Sequence, residues 1–347
     1  MQQGKKIKVI QLGCGAMGQE IIRQVLSKQT LQLVGAIARK TNVGQDVGKV
    51  MGIGELGVTI SSDMDSVFAN TKADVLVDAT ASRTRLVFPY LMKALEAGLN
   101  VVTICEEMTN PWLKEPELAK KLDETAKKHG VTVVETGMNP GFYLDVLPFV
   151  VTSVCSEVRR ITGERVVDSS GMPHSRATNE AFGIGLNAKE FQRKRADGSI
   201  PGHVGISETM HVFADALGWE LTEVHEELEP LFSKVVKDFS PYCVIQPGQV
   251  YGLSYRGYGL RGKEVVFDFK GALCVKPNME TDRIEPCFQL SIEGNPSFKV
   301  NLEGLTTGDN MRVATAARAV NWIPYVVEAK PGLLTNLREF PLVGYSR

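Results

Sequence analysis

Three glycines near the start of the chain have the spacing of a dinucleotide-binding turn. The stretch 8–18 reads KVIQLGCGAMG, an apolar strand pattern that runs into a helical repeat. Glycines there let the backbone approach a pyrophosphate, and the N-terminus of the following helix faces its negative charge. Their position between a strand and a helix predicts a nucleotide site. The predicted cofactor contacts in this turn are Gly13, Gly15, Ala16, Met17 and Gly18.

Two cations follow the second predicted strand, at the place where NAD-binding folds carry an acidic residue. About twenty residues beyond the last glycine the chain has Ala38, and Arg39 and Lys40 come next. Guanidinium and ammonium groups suit a ribose 2′-phosphate better than a free hydroxyl. The pattern therefore predicts NADP, with NAD also possible; a solvated surface loop is the alternative.

Two adjacent carboxylates, Glu106 and Glu107, directly follow the fifth predicted strand. Neighbouring side chains point different ways, so we expect one of the two to face the ligand crevice. A carboxylate desolvated beside apolar groups has its pKa raised toward the range useful for proton transfer. The pair is therefore the candidate catalytic group, and two surface charges are the alternative.

Two other loops follow predicted strands of the same sheet. Thr80 and Ala81 end the fourth strand, where small residues let a cofactor pass close to the backbone, and we assign them to the nicotinamide ribose. Asn139 and Pro140 follow the sixth strand, and this dipeptide predicts a cap and the first turn of a helix. Such a loop presents N–H groups and an amide to the cofactor and to a substrate carboxylate or carbonyl. A plain turn or helix cap explains both loops as well.

The elements that position these residues predict two domains. Residues 5–137 alternate short strand patterns with helical ones, which is typical of a Rossmann-type, doubly wound parallel sheet. After about residue 150, strand patterns come in series and predict an α+β domain on a mixed or antiparallel sheet. The predicted boundaries are 1–140 for dinucleotide binding, 141–308 for substrate binding and dimerisation, and 309–347 for a C-terminal helix and tail that pack back on the first domain.

Four residues of the second half are candidates for substrate contacts. Arg160 and Arg165, in a predicted strand, have the chemistry to pair with a substrate carboxylate, although strand arginines commonly form ordinary salt bridges. His203 lies between glycines and either touches the ligand or shapes a loop. Thr307 precedes the final predicted helix, at about 310–327, and is a candidate for the edge of the pocket.

Composition excludes several classes of protein. The chain has 347 residues, 43% hydrophobic residues and a net charge of −1, so it has no general attraction to nucleic acid or to an anionic membrane. It has no apolar run of about eighteen residues, and residues 1–6 lack a signal-peptide core. Six cysteines without Cys-x-x-Cys spacing predict the reducing cytoplasm, and five histidines without ligand spacing predict no metal site.

Several segments together resemble the 2,4-diaminopentanoate dehydrogenases and related native amine dehydrogenases, in the wider dihydrodipicolinate-reductase-like group. They are the glycine turn, CEEM at 105–108, TGMNPGF at 136–142, GHVGISE at 202–208, and AARAVNWIP at 316–324 followed by KPGLLT. The resemblance implies a homodimer and reversible NAD(P)-dependent deamination of a small amine to a ketone and ammonia. The family's substrate is 2,4-diaminopentanoate, which gives 2-amino-4-oxopentanoate.

The resemblance also implies residue roles. The family's catalytic glutamate matches the Glu106–Glu107 pair, with Glu107 preferred from its spacing to Asn139, which matches the family's active-site asparagine. The expected role of that carboxylate is to hold the substrate ammonium and then to take a proton from the attacking water. Two alternatives remain: an NADP-linked oxidoreductase for a semialdehyde or hydroxy acid, whose usual lysine is missing from these loops, and a non-catalytic NADP sensor, which has no need of the carboxylate.

Overall fold

A computed structural model describes residues 6–172, 174 and 176–345, without the side chain of residue 177. The chain divides into two compact units. The described parts of Met1–Phe142 and Val313–Arg347 form the first unit, and those of Tyr143–Arg312 form the second.

The first unit is built on a seven-stranded sheet in which all neighbouring strands are parallel. The strands are Ile7–Leu12 (β1), Leu31–Ile37 (β2), Ile60–Ser61 (β3), Val75–Asp78 (β4), Asn100–Thr103 (β5), Thr132–Glu135 (β6) and, from the end of the chain, Gly332–Leu334 (β15). Their order is β15-β6-β5-β4-β1-β2-β3. The order of the strands therefore changes direction between β1 and β4. In parallel sheets of this type, ligands bind at such a point, outside the carboxyl ends of the strands. The predicted doubly wound parallel sheet is confirmed.

Helices cover both faces of this sheet. They are Ala16–Ser27 (α1), Val47–Val50 (α2), Met64–Asn70 (α3), Thr84–Glu96 (α4), Pro111–Lys114 (α5), Pro116–His129 (α6) and the final helix Gly308–Val326 (α11), with short 3₁₀ turns at Glu106–Thr109 and Leu337–Glu339. Ile21 of α1 and Trp322 of α11 share one buried cluster with Val9, and Leu91 of α4 and Leu122 of α6 lie in a second. The residues of α11 from Val313 onward belong to the first unit.

Two local differences from the predicted elements have clear physical causes. The third strand is predicted at 57–60, but it begins at Ile60 because Gly57 has a φ of +72°, which is incompatible with an extended strand. The N–H of Val58 donates to the carboxylate of Asp46 at 3.1 Å and takes no part in the sheet. Strand β15 has only three residues and is formed by pairing with β6, so no local sequence pattern predicts it.

The second unit is built on a mixed six-stranded sheet in the order β14-β13-β7-β12-β11-β8, in which only β12 and β7 pair in parallel. The strands of this unit are Glu157–Asp168 (β7), Glu223–Phe232 (β8), Lys237–Phe239 (β9), Cys243–Ile245 (β10), Val250–Arg261 (β11), Glu264–Cys274 (β12), Cys287–Asn295 (β13) and Phe298–Asn301 (β14). Its helices are Val146–Val151 (α7), Arg176–Ala181 (α8), Ala188–Ala196 (α9) and Ile206–Leu217 (α10), with a 3₁₀ turn at Thr152–Val154. The predicted α+β architecture is confirmed. The strand patterns predicted for this half lie at about 157–168, 249–259, 264–274, 284–293 and 297–303, so β8 lies outside them. Its glutamates and Pro230 lower its β-propensity, and pairing with β11 makes it an edge strand.

Candidate active site

The glycine turn leaves open space in front of the N-terminus of α1. Gly13 has a φ of +87°, and a Cβ on Gly18 would lie 1.8 Å from the carbonyl oxygen of Gly13, so both positions need glycine. A Cβ on Gly15, by contrast, would meet nothing within 4 Å. Gly15 caps α1 without a side-chain hydrogen bond, and the first turn, which contains Ala16 and Met17, has no acidic residue. Free N–H groups at a helix N-terminus are suited to a pyrophosphate.

Arg39 and Lys40 lie exposed just beyond the carboxyl end of β2. Within the part of the chain that the structure describes, neither side chain has a hydrogen bond or an ion pair. Backbone hydrogen bonds tie the loop that carries them to β3: the N–H of Ala38 donates to the carbonyl of Ser61 and that of Gly44 to the carbonyl of Ile60, both at 2.9 Å. Two unpaired cations on a fixed loop suit a ligand phosphate.

Glu107, the carboxylate that the sequence favours, is committed to contacts within the protein. Its side chain is 6% exposed, and its Oε1 accepts a hydrogen bond from Arg83 Nη1 at 2.9 Å. Its Oε2 accepts the backbone N–H of Thr84, the first residue of α4, at 2.7 Å. Both oxygens therefore hold the start of a helix.

Glu106 is half-buried and has the properties expected of a reacting carboxylate. Burial raises the pKa of its carboxyl above the usual value, while a hydrogen bond to Ser82 and the charge of Arg83 partly offset that rise. A raised pKa favours proton transfer near neutral pH. The geometry therefore favours Glu106 over Glu107, because the two side chains diverge from one 3₁₀ turn and only Glu107 is occupied by a helix N-terminus.

Two further buried carboxylates lie at the same edge of the sheet, and sequence reasoning missed both. Asp78 ends β4 and accepts hydrogen bonds from the hydroxyls of Thr80 and Thr103 at 2.6 and 2.7 Å. Glu135 ends β6 and accepts one from Thr109 at 2.5 Å. The detectable signal for both is an acidic residue at the end of an otherwise apolar strand. With the glutamate pair, they make this edge acidic, which suits an ammonium group.

The loop after β6 differs from the predicted helix start. Pro140 does not open a helix: the Asn139–Pro140 peptide is cis, turns continue through residue 145, and α7 begins at Val146. The reason is Gly141, whose φ of +104° is incompatible with a right-handed helix and whose Cβ position lies 2.1 Å from the N atom of Gly137. Asn139 is half-buried in this tight turn.

Arg318 of α11 fixes that turn, and sequence reasoning missed this contact. Its Nε donates to the carbonyl of Gly141 at 3.2 Å and its Nη1 to the carbonyl of Val343 at 3.4 Å. The guanidinium also lies 5.5 Å from the centre of the Phe142 ring. The only available signal was the presence of an arginine in an otherwise small and apolar helix segment, AARAV.

In the second unit, Arg165 is a buried cation that pairs with neutral groups. Its Nη1 lies 3.3 Å from His203 Nε2 and 3.3 Å from the hydroxyl of Tyr255. Burial and the charge of Arg165 lower the pKa of His203 to about 3, so the ring is neutral and its Nε2 accepts the arginine proton. Arg165 Nε is buried and has no hydrogen-bond partner among the described residues. Such a site can take an anion.

Arg160 and Thr307, the other two predicted substrate contacts, both bond to groups within the protein. Arg160 is five residues from Arg165 on the same strand, which places it on the opposite face of the sheet. There its Nη2 lies 3.3 Å from Asp268, a carboxylate also bound by Arg256. Thr307 is exposed, and its Oγ1 accepts the N–H of Asn310 at 3.2 Å at the start of α11. Both residues therefore have structural contacts.

Comparison with known proteins decides the family. Residues 142–344 match the model of the 2,4-diaminopentanoate dehydrogenase C-terminal domain. The chain belongs to the 2,4-diaminopentanoate dehydrogenase family. Residues 7–136 match the N-terminal model of dihydrodipicolinate reductase, in agreement with the resemblance noted in the sequence.

Relatives across the whole length support this family. The chain is 34% identical to the 2,4-diaminopentanoate dehydrogenase of Acetoanaerobium sticklandii, over 96% of this chain and 93% of that protein. It is 24% identical to an amine dehydrogenase of Streptomyces virginiae, over 97% and 96% of the two chains. The structure of an amine dehydrogenase from Mycobacterium smegmatis superposes with a TM-score of 0.86 and 26% identity, over 99% of both chains. The 2,4-diaminopentanoate dehydrogenase family member described here is thus an oxidoreductase that acts on amine groups, and it uses a nicotinamide cofactor, NAD or NADP.

Neither a cluster of metal-binding side chains nor a membrane-spanning helix occurs among the described residues. Across residues 6–172, 174 and 176–345, the side chains of His, Cys, Asp and Glu form no group of three or more that could hold a metal ion. Within the same ranges, none of the helices has the length and apolar character to cross a membrane.

Proposed function

We propose that the chain catalyses reversible, NADP-linked oxidative deamination of a small amine that carries a carboxylate, such as 2,4-diaminopentanoate. The products are a ketone, 2-amino-4-oxopentanoate in that case, and ammonia. The observation that carries the proposal is the half-buried Glu106, whose raised pKa and position after β5 put a proton acceptor on the sheet edge that also bears the glycine turn.

The residues around the glycine turn fit a nicotinamide dinucleotide. The open N-terminus of α1 at Gly15 would hold the pyrophosphate, and Arg39 with Lys40 would hold a 2′-phosphate. Thr80 and Ala81, after β4, would contact the nicotinamide ribose. When bound, the nicotinamide supplies the hydride acceptor for deamination and the hydride donor for the reverse reaction.

Glu106 moves the protons of the reaction. As a carboxylate it holds the substrate ammonium. The acidic side chains at the ends of the neighbouring strands also favour a positively charged group at this edge of the sheet. The ammonium first gives one proton to Glu106, which releases it to solvent. Hydride loss from the neutral amine then leaves an iminium ion, and water adds to its carbon. Glu106 takes a proton from that water, and departure of ammonia leaves the ketone. General-base help of this kind contributes roughly a hundred- to ten-thousand-fold to the rate. Asn139 has an amide with which to orient the substrate.

Arg165 and His203, both within the second unit, form a proposed binding site for a carboxylate. The buried guanidinium of Arg165 contacts the neutral ring of His203 and the phenol of Tyr255. Neither of these two groups carries a negative charge that would balance it. A carboxylate would pair with it in a charge-assisted hydrogen bond. The ligands expected at this pair are molecules that carry a carboxylate.

The resemblance further supports a homodimer working in the cytoplasm, which we include in the proposal. Light scattering of the purified protein gives the mass and tests the dimer directly.

A spectrophotometric panel tests the proposed activity. The purified chain is incubated with NADP or NAD and 2,4-diaminopentanoate, an amine without a carboxylate, or a hydroxy acid, and the absorbance of the reduced cofactor is followed. We expect reduction of NADP with the diamino acid. Cofactor binding without reduction by any amine or alcohol would favour a sensor instead, and reduction with the hydroxy acid alone would favour a different oxidoreductase.

A further inference from the structure

Asp78 is a fully buried carboxylate that takes no part in the proton transfers of the proposed chemistry. Thr80 Oγ1 donates to its Oδ1 at 2.6 Å, and Thr103 Oγ1 donates to its Oδ2 at 2.7 Å. Thr103 is paired with Asp78 across the β4–β5 ladder, whereas Thr80 lies in the loop beyond β4. One carboxylate therefore joins the ends of two neighbouring strands at the candidate active site.

The direction of these hydrogen bonds is determined. The backbone N–H of Cys105 donates to Thr103 Oγ1 at 3.1 Å, and the single proton of that hydroxyl goes to Asp78. An ionised carboxylate only accepts, so the proton of Thr80 also goes to Asp78. Thr80 Oγ1 then presents only lone pairs to a ligand, and it is an acceptor that cannot donate.

This acceptor lies beside the glycine turn. A Cβ on Gly13 would lie 2.6 Å from the carbonyl oxygen of Ala79 and 3.1 Å from Cγ2 of Thr80. Glu106 follows Cys105 directly, so the segment that carries the proposed base is tied to the same carboxylate through Thr103.

We propose that Asp78 is a positioning residue for the nicotinamide nucleoside: it holds Thr80 as an obligate hydrogen-bond acceptor for a hydroxyl or amide N–H group of that nucleoside. The same carboxylate anchors the segment that carries Glu106. This inference rests on the proposed function, which puts a nicotinamide dinucleotide at the glycine turn.

Protonation of Asp78 reverses the contact. Burial raises the pKa of its carboxyl to about 6. The protonated acid has one O–H to donate. With that proton on Oδ1, Thr103 keeps its hydrogen bond to Oδ2 and the one that it accepts from Cys105, and the proton goes to Thr80. Thr80 then becomes a donor, and cofactor affinity falls as the pH falls through this pKa. The other ionisable groups around this point are the neutral thiol of Cys105 and the carboxylates of Glu106 and Glu135, which act on that thiol.

Direct binding measurements test the proposal without relying on turnover. The dissociation constants of NADPH and NADH are measured by fluorescence for the wild type and for Thr80→Val, Thr80→Ser and Thr132→Val. Thr80→Val should weaken binding roughly five- to tenfold, the effect of one lost hydrogen bond, while Thr80→Ser should bind like the wild type. Thr132→Val is the matched control, because it removes a buried threonine hydroxyl bonded to the carbonyl of Lys330 at 3.0 Å, at the start of β6.

A pH series then isolates Asp78. The series uses NADH, because the 2′-phosphate of NADPH itself titrates at about pH 6. The wild-type affinity for NADH should rise between one pH unit below and one pH unit above the pKa of Asp78, about 6. Asp78→Asn should bind more weakly and show no rise, and Glu106→Gln should keep the wild-type rise. If Asp78→Asn does not fold, as judged by circular dichroism, the Thr80 comparison decides.

The outcomes separate the two ideas. A wild type that binds neither NADPH nor NADH overturns the proposed function. A wild type that binds, together with Thr80→Val and Asp78→Asn proteins that bind equally well with the same pH dependence, overturns the role of Asp78 alone.

Discussion

The two adjacent glutamates should respond to the same substitution in opposite ways. Glu106→Gln keeps the size of the side chain but removes the proton acceptor, so kcat for deamination should fall by roughly a hundred- to ten-thousand-fold. Its folding stability should not fall. Because burial raises the pKa of Glu106, the ionised carboxylate is disfavoured in the folded state. The protonated side chain of Glu106 therefore contributes to folding stability at low pH, and that contribution is lost as the pH rises through the raised pKa. At neutral pH the glutamine variant should therefore be at least as stable as the wild type.

Glu107→Gln should show the reverse. The amide of glutamine has a single acceptor oxygen. Only one of two hydrogen bonds can therefore remain, and without its charge: the one from Arg83 at 2.9 Å or the one from the N–H of Thr84 at 2.7 Å. The Arg83 side chain is 43% exposed, so solvent screens that pair and the bond to the helix N-terminus carries most of the loss. We expect about 1–3 kcal/mol of destabilisation. For a chain of this size that lowers Tm by several degrees, at roughly 2–4 °C per kcal/mol, with kcat within a few-fold of the wild type.

The assay combines thermal unfolding with steady-state kinetics on both variants. Cofactor affinity, measured by fluorescence, should be unchanged in each, which confirms that the nucleotide site is intact. A Glu107→Gln protein that is stable but inactive, beside an active Glu106→Gln protein, would refute the reasoning and return the role of base to Glu107.

Three further predictions follow from the same geometry. Arg39→Ala should raise KM for NADPH roughly ten- to a hundredfold with little change in KM for NADH. Arg193 is an exposed arginine on α9, and Arg193→Ala should change neither KM. Equal effects of Arg39→Ala on both cofactors would contradict a preference for NADP. Arg165→Met should raise KM for a carboxylate-bearing amine by a similar factor and leave an amine without a carboxylate unaffected; equal losses on both would show that Arg165 does not bind the carboxylate. The pH profile of wild-type deamination should have an acid limb above the ordinary pKa of a glutamate, because the carboxylate form of Glu106 is active and burial raises its pKa; a limb at the ordinary value would assign the proton to an exposed group.

The first unit was largely readable from the sequence, because its signals are local. A glycine is needed wherever the backbone turns with positive φ or packs closely, so Gly13 and Gly18 mark the turn by their spacing alone. Arg39 and Lys40 are likewise placed by their distance along the chain from that turn. The alternation of strands and helices predicts the parallel sheet for the same reason.

What only the tertiary structure decided depends on partners far apart in the chain. Glu106 and Glu107 are adjacent and have the same side chain, and the preference for Glu107 is reversed because the start of α4, 23 residues away, takes its carboxylate. Arg318 reaches the Gly141 turn from 177 residues away. The hydrogen bond that makes Asp78 a link between two loops joins residues 25 apart. Composition and periodicity report which face of an element is apolar, but a polar side chain's role depends on which hydrogen-bond partners the folded chain brings within about 3 Å of it.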